Sequence, residues 1–91
     1  MKVYTDAFKK PISKEDVQLV IYVLLNKGMV QPMTIARSAG MGLAKANVIV
    51  RLLEDAGVVS EPGLNGRRSF QIRNLNQATN AALRQLRKGN A

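Results

Sequence analysis

Between Ser13 and Gly28 the apolar side chains recur at helical spacing. Val17, Val20, Ile21, Leu24 and Leu25 occupy i, i+3, i+4, i+7 and i+8, a complete buried stripe for a helix over about 14–26. Leu19 and Val23 widen the stripe, which makes this helix central to whatever core the chain builds. Its ends are also written locally. Ser13 followed by Asp16 resembles a capping box, with Asp in place of the usual Glu or Gln, and Asn26-Lys27-Gly28 is a C-terminal stop. A chain with this helix must supply other elements to cover it.

The remaining elements follow in order. Residues 1–11 lack periodicity and end at Pro11, as an arm or short strand would. Met29-Val30-Gln31 has the length of a bridging strand only. Pro32 suits a first helical position, and Met33 to Ala39 makes a two-turn helix. Gly40-Met41-Gly42 is a turn, and a longer amphipathic helix runs from Leu43 to Ala56, closed by Gly57. On a helical wheel its Leu43, Ala46, Ile49, Val50 and Leu53 share one face. Ala44, Val48, Arg51 and Asp55 share the opposite face, with Lys45 and Leu52 at its edge. Val58-Val59-Ser60 and Ser69-Phe70-Gln71-Ile72 read as two strands joined through an Asn65-Gly66 hairpin turn, since both turn residues tolerate positive φ. Asn74 with Gln77 caps a last helix, whose apolar stripe is Leu75, Ala78, Thr79, Ala82, Leu83 and Leu86.

Helix, short strand, helix, glycine turn, helix and hairpin is winged helix-turn-helix order. The expected fold is therefore mainly α with a small β-hairpin. It has a three-helix core plus wing over 12–73 and an added C-terminal helix over 74–88, all within a single domain of 91 residues. The C-terminal stripe must be buried, because an isolated helix of that length is marginal in water. Two arrangements satisfy it: packing back on the Val17–Leu25 helix, or a symmetric homodimer through the C-terminal helix.

Several chemistries are excluded by residue type. With no cysteine and no histidine the chain has no disulfide, no thiolate metal site and no imidazole to activate a serine. Gly40-Met41-Gly42 lacks the further glycine, or the Lys-Ser/Thr, of a nucleotide loop. The expectation is no catalytic activity, no metal and no cofactor. No apolar run reaches the roughly 18–20 residues of a membrane span, and the N-terminal MKVYTDAFKKP has no signal-peptide pattern, so a cytoplasmic protein is expected.

Charge indicates the partner. There are 14 Lys and Arg against 6 Asp and Glu, a net charge of +8. The excess is uneven: from Pro62 onward the chain holds Arg67, Arg68, Arg73, Arg84, Arg87 and Lys88 and no acid. Such a balance favours nucleic acid or an anionic surface.

The stretch from Gly42 to Phe70, GLAKANVIVRLLEDAGVVSEPGLNGRRSF, resembles the gamma domain of FtsK-type DNA translocases. The positions that carry the likeness are Gly42, Ala46, Ile49, Val50, Glu54, Gly57, Val58, Val59, Ser60, Gly63, Asn65, Gly66 and Arg68, within a winged-helix part over about 14–72. The resemblance implies a winged helix that binds duplex DNA through a recognition helix and a wing. Three departures bear on it. The family's Asn and two Arg on the outward helix face fall at Ala44, Lys45 and Val48, the motor domain is absent, and a C-terminal helix is added. A target other than the translocase's orienting sequence is the consequence.

The expected function is sequence-preferring duplex DNA binding, as a small bacterial regulator or a replication or partition accessory factor, using recognition helix 43–56 and wing 61–68. Lys45 and Arg51 would face the major groove, and Ala44 and Val48 would meet thymine methyls. Arg37 would hold a phosphate from the second helix, and Arg67 and Arg68 would track the backbone from the wing. The competing reading is a winged-helix protein-interaction module, on the apolar character of Ala44, Val48 and Leu52. Membrane-surface binding by the C-terminal helix is a third, weakened by the lack of Trp or Phe on its apolar face.

Overall fold

The computed structural model describes residues 4–5, 12–28, 31–60 and 69–90. Among them lie four helices: α1 (Lys14–Lys27), α2 (Pro32–Ala39), α3 (Leu43–Asp55) and α4 (Leu75–Asn90). Each begins where a local signal starts it. The Ser13 hydroxyl accepts from the backbone N–H of Asp16 at 3.2 Å, and Glu15 and Asp16 put negative charge in the first turn of α1, where the helix dipole favours it. Pro32 opens α2, where its missing N–H costs nothing. Asn74 opens α4, its side-chain oxygen accepting from the N–H of Gln77 at 3.0 Å. Between α2 and α3, Gly40 adopts φ 67° and ψ 36°, the left-handed region, so that the chain reverses within the turn 40–42.

The core forms around α1. Val17, Val20, Ile21 and Leu24 are buried on one side of it, and α1 packs against α2, α3 and α4. α3 likewise meets all three other helices and buries Ala46, Ile49, Val50, Leu52 and Leu53. α4 approaches through small residues: Ala78, Thr79, Ala81 and Ala82 are buried, and Leu75 and Leu86 pack partly against the core. The Thr79 hydroxyl is satisfied by donating to the Leu75 carbonyl at 2.7 Å. Of the two arrangements that would bury the C-terminal stripe, packing back on α1 is the one seen within the chain.

The N-terminal segment also contributes to the core. Tyr4 is completely buried; its hydroxyl donates to the Asp55 carboxylate of α3 and accepts from the Gln85 amide of α4 at 3.2 Å. An arm residue is thus tied to two helices at once.

The winged helix-turn-helix expectation is corrected: the described residues form a four-helix arrangement without a β-hairpin. No strand forms among the described residues, and where the β-hairpin was expected there is one antiparallel bridge, Val59 to Phe70. The reason lies at the end of α3. Gly57, at φ 78°, ends the helix in a Schellman closure: its N–H bonds to Glu54 O at 3.1 Å, and the Val58 N–H reaches back to Leu53 O at 2.9 Å. Val58 and Val59 are therefore both buried in succession instead of alternating as strand residues do. Opposite them, Gln71 and Ile72 N–H groups share the single Val58 carbonyl, and the Ser60 hydroxyl accepts from Ser69 N–H in place of a ladder carbonyl. The wing tip, with Asn65-Gly66, Arg67 and Arg68, and the Met29-Val30 part of the bridging strand lie outside the described residues.

Removing the Tyr4 hydroxyl leaves Asp55 and Gln85 without it. Tyr4→Phe is expected to lower stability by about 1–3 kcal/mol, read as a reduced midpoint in urea denaturation with unchanged slope. A midpoint equal to wild type would show that the arm does not hold α3 to α4.

Candidate nucleic-acid interface

A helix reads DNA with the side chains its own protein leaves uncovered. At about 100° per residue, the buried residues of α3 cover roughly 160° of its circumference, because three helices pack on it. Leu52 falls within that arc and is completely buried. Val48 is half-buried at its margin and packs against the core. The apolar outward face expected from Ala44, Val48 and Leu52 is therefore corrected: among the three, only Ala44 is exposed.

Lys45 lies about 20° from Leu52 around the helix, on the side turned to α1 instead of toward a groove. Its ammonium pairs with the Asp16 carboxylate at 3.2 Å, both side chains being partly covered. The two residues join the first turns of α1 and α3, and the acid offsets one of the two charges, Lys45 and Arg51, expected to face the major groove.

What α3 does present is a narrow stripe. Leu43, Ala44, Asn47 and Arg51 are all exposed and fall within an arc of about 100°. Arg51 is positioned from below, its guanidinium carbon 5.6 Å from the centroid of the Tyr4 ring, within cation–π range. Because Tyr4 is itself fixed by Asp55 and Gln85, the arm aims Arg51 as well as bracing the core. Asn47 was not anticipated as a site residue. The signal for it was present in the sequence, since 44, 47 and 51 are spaced i, i+3, i+7, but it becomes readable only once Leu52 is known to be buried.

The other expected site residues are dispersed. Arg37 is exposed in the last turn of α2, and Arg67 and Arg68 lie outside the described residues. Arg84, Arg87 and Lys88 are exposed on α4. Among the described residues no single helix is long and apolar enough to cross a membrane. Comparison with protein-family models, with curated proteins and with solved structures finds no significant match.

The Lys45–Asp16 pair is partly exposed, so its contribution is small. A double-mutant cycle with Lys45→Ala and Asp16→Ala is expected to give a coupling of about 0.2–1 kcal/mol at low salt, shrinking in 1 M salt as screening grows. Zero coupling at low salt would contradict the placement of Lys45 against α1.

Proposed function

We propose that this chain is a duplex DNA-binding domain that lays α3 in the major groove with Ala44, Asn47 and Arg51 toward the bases. The observation that carries the reading is this exposed stripe, on a helix whose opposite face is the core and whose start is set by a short helix and a glycine turn. The three residue types suit base edges for separate reasons. An alanine methyl can contact a thymine methyl, an asparagine amide can pair with both N6 and N7 of adenine, and an arginine fork matches O6 and N7 of guanine. Ala44 and Asn47 lie in the first half of α3, the end that meets bases in helix-turn-helix complexes, and Arg51 follows about one turn beyond Asn47.

Charge supports the same partner. A net charge of +8 attracts a polyanion at long range, and exposed Arg37 on the neighbouring helix can hold a phosphate and set the register of α3. With Leu52 buried and Val48 packed against the core, α3 offers less apolar surface for a protein-interaction reading than its sequence suggests. The sequence resemblance to a DNA-binding domain points the same way as the stripe.

The test is selection of a preferred duplex followed by comparison of Asn47→Ala with wild type on selected and scrambled sites. The variant is expected to lose about 1–3 kcal/mol of discrimination at one A·T position, while binding scrambled duplex as wild type does. A wild-type protein with no affinity for any duplex would overturn the function. An Asn47→Ala protein with intact preference would remove α3 as the reading element.

A further inference from the structure

The strongest unassigned surface lies on α4. Gln77, Asn80, Arg84 and Arg87 follow one another at i, i+3, i+7 and i+10, so they form one row along the helix. With Ile72 as a wall, this row lines an open depression of about 410 Å³. Every polar side chain lining it can donate: two amides and two guanidinium forks, with no carboxylate among them. Arg84 also borders a second depression of about 350 Å³ on the α3 side, where Lys88 adds a further cation and Asp55 is the one acid. Among the described residues neither Arg84 nor Arg87 has an ion-pair partner.

We propose that this row of α4 is a second nucleic-acid contact, a cradle for successive phosphates of a DNA strand that carries no sequence information. The inference rests on the DNA-binding reading and adds a second surface to it. Length and shape fit a backbone. From Gln77 to Arg87 the helix rises about 15 Å, the axial rise of about four phosphates on one strand. The lining holds no aromatic ring on which a base could stack, so the sugar–phosphate chain and not an unstacked base is the part that fits.

A lipid surface is disfavoured by the other side of the same helix. An interfacial helix must insert its apolar face between acyl chains, and the Ala78, Thr79 and Ala82 face of α4 is already buried in the protein. The exposed row offers donors and charge but no large apolar residue. Guanidinium groups suit phosphate because two parallel N–H bonds match two of its oxygens.

The experiment uses the full chain and a random-sequence duplex, with affinity measured across a salt series for wild type, Arg84→Gln with Arg87→Gln, and Arg84→Lys with Arg87→Lys. The Gln pair is expected to bind every duplex more weakly and to flatten the plot of log affinity against log salt by about one to two units, since each neutralised phosphate contributes about 0.9. The Lys pair is expected to keep the wild-type slope, because charge and not fork geometry sets counterion release. A wild type that binds duplex while the Gln pair keeps its affinity and slope would overturn the α4 cradle and leave the α3 reading intact. A Lys pair that loses as much slope as the Gln pair would show a structural defect and would also overturn it. A wild type that binds phosphatidylserine vesicles and no duplex would overturn both readings together.

Discussion

The packing of Val17, Val20, Ile21 and Leu24 of α1 against the other three helices is the contact on which the structure depends. A chain of 91 residues without disulfide or histidine-held metal has only burial to offset the entropy of ordering it. One apolar face must therefore serve several partners. α2 and α4 both pack on α1, and α3 completes the arrangement by contacting all of them. The small residues of α4 let its backbone come close without needing large side chains to fill the gap. The position of α3, and so the side chains it leaves in water, follows from this three-sided enclosure.

Much of this was legible from local chemistry. Ser13, Pro32 and Asn74 start helices for reasons that do not depend on tertiary structure, and the helix bounds agree to within one or two residues at most ends. The α1 stripe was readable because five apolar residues at helical spacing admit one periodicity only. Three features were not readable. A two-sided wheel for α3 leaves Leu52 at the edge of the solvent face, whereas three packed neighbours widen the buried arc to include it. Among the described residues strand pairing is limited to the Val59–Phe70 bridge, because Gly57-Val58 is compatible with both a strand start and a Schellman closure, and the closure is what forms. Tyr4, in a segment without periodicity, gave no sign that it would sit in the core.

The candidate site was legible in part for the same reason. Ala44 and Arg51 emerged on the exposed face as expected, but Lys45 turned to Asp16 and Asn47 took its place in the row. Charge reasoning located cations without locating their environment. Of the basic side chains on helices, Lys45 is held by a carboxylate and Arg51 rests over an aromatic ring, while those of α4 border open depressions. The division gives the two helices different capacities: α3 offers a methyl, an amide and a fork suited to bases, and α4 offers donors suited to phosphates.

The central claim is that α3 meets DNA through its exposed row. It is tested most directly by titrating the isotopically labelled protein with a short duplex and following backbone amide shifts by NMR. The account predicts that the largest shifts cluster between Leu43 and Arg51, with little change around Leu19 and Tyr22 on the exposed side of α1. Saturable binding that moves the Leu19 and Tyr22 region and leaves α3 unperturbed would contradict it.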